Sequence, residues 1–297
     1  MSATDREDDD IEASRAPLMD HLIELRGRLV ICVIAFAVAF LGCFYYAADI
    51  QLILIHPFQA AAAMHAASAG NGHHVNPFDL IAVTAGLKAV PAGGKDVVQL
   101  IATAPLEQLF TKMKIAGFGA VVVAFPVIAW QLYKFVAPGL YRNEKGAFLP
   151  FLIAAPLLFM LGAALVYFVM LPFVMWFSMG QQVTGEGVSV ALLPKISEYL
   201  NLVTALLLAF GLCFQLPIVM TLLGLAGIIS SKLMVEGRRY AIVAVVLVAA
   251  IVTPPDPISQ LMLAIPLVLL YEISIWCVRV IELRRKKADD AEGLGAA

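Results

Sequence analysis

Apolar residues in this chain fall in long unbroken runs, without the half-polar stripes of a soluble fold. Six runs can be marked, at 29–48, 115–135, 148–177, 200–229, 240–253 and 258–278. A helix needs about 20 residues to cross a hydrocarbon core of about 30 Å. The first two runs fit, the third and fourth are long enough to tilt, and the fifth and sixth are short. Between Arg239 and Pro254 only fourteen residues remain, about 21 Å of helix. The sequence T-P-P-D-P from Thr253 to Pro257 leaves room only for a tight turn. Runs five and six therefore predict a short hairpin that thins the bilayer or faces a wet cavity. The predicted fold class is an all-α polytopic membrane protein with six transmembrane helices. Pro126, Pro156, Pro172, Pro217 and Pro266 are expected to kink the helices that hold them.

The flanks of the runs complete the outline. In Pro17–Leu29, P-L-M-D-H-L-I-E-L-R-G-R-L, the residues Leu18, Leu22, Leu25 and Leu29 recur at helical spacing. That predicts an amphipathic helix at a membrane surface. Glu24 and Arg28 stand four apart, in the order that favours an ion pair. Residues 1–16 read as a disordered acidic tail, of the wrong charge for a secretory leader. Residues 17–279 form the transmembrane domain, and 280–297 a basic, then polar, tail. Between the first two runs, 49–111 reads as a long external loop with a Gly/Ala/His-rich part and a second Gly-rich part.

Charge sets the orientation and excludes some partners. The chain is 61% hydrophobic and 14% charged, against about 25% charged in soluble domains. A net charge of −2 gives nucleic acid no purchase. With six spans, Arg26, Arg28, Lys134, Arg142, Lys145, Lys232, Arg238, Arg239 and the basic cluster after the last span share one side with both termini. Lys88, Lys95, Lys112, Lys114 and Lys195 take the other. The positive-inside rule then puts both termini in the cytoplasm. Cys32, Cys43, Cys213 and Cys277 lie within or at the edges of apolar runs, with neither metal spacing nor a disulfide framework.

Motifs of catalysis are missing. Gly93–Asp96, G-G-K-D, lacks the upstream glycine and the Ser/Thr of a phosphate-binding loop. No nucleophile–base pair, metal-ligand spacing or cofactor fingerprint stands out. His65, His73 and His74 could hold a metal only if brought together. No enzyme, cofactor or metal site is expected. A second cationic stretch, Lys134–Lys145, K-F-V-A-P-G-L-Y-R-N-E-K, follows run two and carries Glu144. Glu24 and Glu144 would be two carboxylates on one membrane face, suited to a doubly charged basic ligand.

Three stretches carry a resemblance. H-L-I-E-L-R-G-R-L, F-V-A-P-G-L-Y-R-N-E and T-P-P-D-P-I-S-Q with the later A-I-P resemble TatC, the multi-spanning subunit of the twin-arginine protein translocase. The resemblance runs from about Pro17 to Arg279. It implies a receptor for the twin-arginine signal peptides of folded proteins, working with TatA- and TatB-type single-span partners. It further implies export driven by the proton-motive force in the bacterial inner membrane, and a homo-oligomeric receptor complex in membrane lipid. Carried onto this sequence, Glu24, Arg26, Phe135 and Glu144 match the signal-recognition surface. Pro57 matches a proline of the first outer loop. Thr253, Asp256 and Gln260 match an outer patch where partner helices dock.

Two departures are visible. Family members often carry a glutamate in mid-span four, where this chain has Gln215 beside Pro217. A glutamine is cheaper to bury and cannot titrate, but it can still hydrogen-bond a partner helix. The first outer loop is also longer, by about 30 residues between Met64 and Val97. The alternative reading, a secondary transporter of a small solute, calls for internal repeats and broken helices around a midplane site. No convincing repeat is present, and Gln215 is the clear mid-span polar residue.

Overall fold

The computed structural model describes residues 3–71, 77–89, 100–136, 148–181, 184–185, 188–189, 194–252 and 257–295. The elements are α1 (Ala3–Tyr45), α2 (Ala47–Asn71), α3 (Pro77–Thr84), α4 (Glu107–Val136), α5 (Phe148–Leu165), a π-helical turn (Val166–Met170) and α6 (Leu171–Gly180). A two-residue antiparallel pair, β1 (Thr184–Gly185) and β2 (Val188–Ser189), precedes α7 (Ile196–Cys213), α8 (Leu216–Leu225), α9 (Ser231–Val252) and α10 (Pro257–Gly295).

The fold is all-α, as expected. Six helical segments among the described residues are long and apolar enough to cross a membrane: Ile23–Tyr45, Ala47–Ser68, Glu107–Lys134, Phe151–Gly180, Ile196–Leu225 and Gln260–Arg284. Five overlap apolar runs marked in the sequence. The sixth, in α2, falls in the stretch read as a long external loop, while α9 is absent from this set. Glu236, Arg238 and Arg239 stand inside α9, so its uncharged part is confined to the C-terminal half. The acidic segment expected as a disordered tail is helical from Ala3.

Packing assigns α2 its place. Leu54, Phe58, Ala61 and Met64 share one core with Ile115 of α4, Val174 and Met179 of α6, and Tyr199 and Leu200 of α7. Ile115 lies in the third turn of α4, Tyr199 and Leu200 in the first two turns of α7, and Met179 in the last turn of α6, all toward one end of the bundle. From α2 the chain passes through α3, which packs on α2 and α6, and re-enters the bundle with α4 at that same end. α2 therefore lies across the end as a cap. α1, α4, α5–α6, α7–α8, α9 and α10 run in alternating directions, which brings the part of α1 near Glu24 and the part of α10 near Glu282 to the opposite end.

The prolines act where expected, each by a local mechanism. Pro172 removes the donor for the Phe168 carbonyl, and the chain responds with the π-turn just before it, in which Leu171 N–H bonds the Val166 carbonyl. Near Pro217 the fourth span breaks into α7 and α8: Gln215 N–H reaches the Leu212 carbonyl at 2.9 Å, a tighter turn that strands the Gly211 carbonyl. Spans three and four approach closely through glycine. A Cβ on Gly162 would lie 2.8 Å from the Phe210 carbonyl oxygen, and one on Gly211 would lie 2.5 Å from the Phe159 ring. α8 closes on Gly227 at φ 71°, with Gly227 N–H on the Gly224 carbonyl and Ile228 N–H on Leu223, the two bonds of a Schellman cap.

Candidate functional site

At the end near Glu24 and Glu282, α1 runs antiparallel to α4 in the most extensive helix pairing of the molecule. Glu24 and Arg28 face the last turns of α4. Both Arg28 Nε, at 3.1 Å, and Nη2 donate to Glu24 Oε1. Arg28 Nη1 donates to the Gln131 carbonyl of α4 at 3.5 Å. The arginine side chain is 19% exposed and the carboxylate 40%. Arg28 thus ties α1 to a point near the negative end of the α4 dipole. Glu24 Oε2 accepts no hydrogen bond among the described residues. Arg26 is exposed and forms no ion pair there.

α4 ends at Val136 with Lys134 lying over the Trp130 ring, 5.0 Å from its centroid. Phe135 occupies the last turn of that helix, and its side chain lies outside the described residues. Glu144 also lies outside them. The chain leaves α4 at Val136, one turn past the Gln131 carbonyl that Arg28 bonds, and is described again from Phe148 of α5. Lys232, Arg238, Arg239, Arg279 and Arg284 share this end of the bundle. Arg238 Nε meets Glu272 Oε1 at 2.7 Å and Nη2 donates to Oε2 at 2.9 Å. The antiparallel α9–α10 hairpin places those two residues level with each other. Ser231 of α9 bonds Glu282 through its N–H at 2.8 Å and through its hydroxyl.

At the opposite end, Pro57 is buried in α2. Having no N–H, it leaves the Ile53 carbonyl without its helical partner. Tyr167 Oη donates to that carbonyl at 2.8 Å, and Tyr199 Oη donates to the next, Leu54, at 2.8 Å. The Tyr199 ring also packs on Phe58, centroid to centroid 5.2 Å. Glu107 clasps the same end: its carboxylate accepts from Ser197 Oγ at 2.5 Å and from the Thr103 and Ala104 N–H groups. Sequence reasoning missed Tyr167, Tyr199 and Glu107. A helix-interior proline demands a substitute donor, which was the available signal for a tyrosine elsewhere. Gln260 Nε2 bonds the Val246 carbonyl at 3.2 Å, bracing the α9–α10 hairpin near its turn. Thr253 and Asp256, in that turn, lie outside the described residues.

Gln215 sits inside the bundle, 8% exposed. Its Nε2 donates to the Ala155 carbonyl of α5 at 3.0 Å and to the stranded Gly211 carbonyl at 3.4 Å. Its Oε1 has no hydrogen-bond partner among the described residues. The donor half of the side chain is therefore spent on the chain's own backbone. Among the described residues no group of three His, Cys, Asp or Glu is placed to hold a metal, and all four cysteines are free.

The family profile of the Sec-independent protein translocase protein TatC matches residues 20–266. The chain belongs to the TatC family. Among curated relatives, the TatC of Magnetococcus marinus is 38% identical over 283 residues, covering 95% of this chain and 91% of that protein. The TatC of Aquifex aeolicus is 35% identical over 275 residues, covering 93% of this chain and all of that protein. A crystal structure of the twin-arginine translocase receptor TatC superposes with a TM-score of 0.67 at 34% identity, covering 88% of this chain and 98% of that one. As a TatC, the protein is a multi-pass membrane component of a Sec-independent protein translocase, a transport subunit and not an enzyme. The secondary-transporter alternative falls with that assignment.

Proposed function

We propose that this TatC is the core receptor subunit of its translocase, and that it binds twin-arginine signal peptides at the end of the bundle where Glu24 lies. Glu24 and Glu144 accept the two guanidinium groups, and Arg26 and Phe135 complete the surface. TatA- and TatB-type partners dock through the outer patch of Thr253, Asp256 and Gln260, next to the cap that Pro57 holds. The receptor assembles with further copies of itself, and the proton-motive force drives export of folded cargo across the inner membrane. The clustering of basic residues at the Glu24 end of the bundle supports a cytoplasmic location for that end.

One observation carries the reading. Glu24 presents a half-exposed carboxylate with one oxygen free, beside the helix end from which the Glu144 segment departs. Such a carboxylate accepts a charge-assisted hydrogen bond from an incoming guanidinium. The test is export of a twin-arginine reporter by Glu24→Ala and Glu144→Ala variants at normal membrane abundance. Loss of export in both supports the roles, and normal export in both overturns them.

A further inference from the structure

We infer that Arg28 is a resident counter-ion of Glu24 that limits how the site takes an arginine: Arg28 keeps Oε1, and an incoming guanidinium has Oε2 alone. This rests on Glu24 being the signal-peptide acceptor and adds what determines its selectivity. A free carboxylate takes a guanidinium on both oxygens, as two parallel bonds. Here two Arg28 donors, Nε at 3.1 Å and Nη2, converge on the same oxygen. A third donor, Nη1, holds the Gln131 carbonyl.

Arg28 stays in place when the site fills. Its side chain is the more enclosed partner, 19% exposed against 40% for Glu24. Displacing it would leave an enclosed guanidinium with one long bond to a carbonyl, and an uncompensated charge of that kind is costly. The incoming group therefore makes a single charge-assisted bond to Oε2, next to a cation of like sign. A single oxygen is served nearly as well by an ammonium as by a guanidinium, because the fork geometry that favours arginine is unused. Arg28 thereby holds Glu24 at modest affinity and modest arginine preference, which suits a receptor that must release its ligand.

The test measures the Kd of a twin-arginine peptide and of its two single-lysine versions for the full-length protein in nanodiscs. Arg28→Gln frees Oε1 and keeps an amide that can reach Gln131. It should tighten the twin-arginine peptide by about tenfold, one added charge-assisted bond. It should leave one single-lysine peptide nearly unchanged, so that the arginine preference rises by the same factor. Arg28→Lys keeps the charge but offers Oε1 fewer donors, and it should raise the preference by roughly threefold. This variant carries the test if Arg28→Gln does not elute as a folded protein. Lys134→Gln, a charge removed one turn from Gln131, should shift all three peptides together. Unchanged preference in the Arg28 variants, parallel weakening of all peptides, or a preference gain equalled by Lys134→Gln each overturns the inference. Glu24→Gln should weaken the twin-arginine peptide. If it does, and the Arg28 variants show no gain, only the role of Arg28 fails. If Glu24→Gln has no effect on any peptide, the receptor role of Glu24 fails with it.

Discussion

Replacing Tyr167 by phenylalanine removes one hydroxyl and keeps the ring. That hydroxyl donates to the Ile53 carbonyl at 2.8 Å, and Ile53 lies four residues before Pro57, which has no N–H to offer. The bond sits at an exposed edge of the cap, so water can recover part of what is lost. The cost should be about 1 kcal/mol, the low end for an orphaned carbonyl. The mechanism makes a sharper claim about the pair. In a Pro57→Ala background the new N–H of residue 57 can close the helical bond to Ile53, and Tyr167→Phe should then cost only a few tenths of a kcal/mol. The coupling between the two positions should therefore be about 0.7 kcal/mol, above the roughly 0.3–0.5 kcal/mol expected for independent sites. Unfolding equilibria measured by steric trapping in bicelles would give all four corners of the cycle. An equal cost of Tyr167→Phe in both backgrounds would refute the substitution of one donor for the other.

Other expectations follow from the same geometry. Gln215→Leu strands the Gly211 carbonyl and should destabilise by about 1–2 kcal/mol on the same assay, the upper range for hydrogen bonds within membranes. Gln215→Glu should cost more at neutral pH, because an ionised carboxylate cannot donate to the Ala155 carbonyl. Gly162→Leu drives a side chain into the Phe210 carbonyl and the Phe214 ring. It should reduce the folded yield in detergent far more than Gly117→Leu, where a Cβ meets nothing within 4 Å. Charge reversal at Arg238 or Glu272 alone should loosen the α9–α10 hairpin, and the double reversal should restore it. The pair is about 40% exposed on both sides, so each step should be no more than about 1 kcal/mol, read as protease sensitivity of the hairpin.

Much of the fold was legible because the bilayer imposes long apolar runs. The runs marked α1, α4, α5–α6, α7–α8 and α10 without ambiguity. α2 was not legible as a helix. Its Ala-rich centre, Ala60–Ala63, has high helix propensity, but the flanking His and Gly residues read as loop, and its apolar residues find their use only against α4, α6 and α7. The Glu24–Arg28 pair could be read from spacing alone. Its anchor could not, because the acceptor on α4 is a backbone carbonyl, and any residue at position 131 supplies one. The tyrosine donors to α2 have the same character. Pro57 signals that a donor is needed, but the sequence does not say which residue supplies it, because the partners are main-chain atoms more than a hundred residues away. Gln215 was read as a group open to a partner helix. The structure spends its amide on the break between α7 and α8, which the nearby proline made predictable only in part.

The central claim is that the end of the bundle holding Glu24 receives twin-arginine signal peptides. It is tested most directly by photo-crosslinking from Ile23 and Leu25, which flank Glu24 and are 64% and 41% exposed. With a photoreactive residue at either position, a twin-arginine peptide should form an adduct that disappears when both arginines are changed to alanine. A photoreactive residue at Leu87, more open still and at the opposite end, should form none. An adduct at positions 23 and 25 that persists without the arginines, or no adduct there at all, would contradict the account.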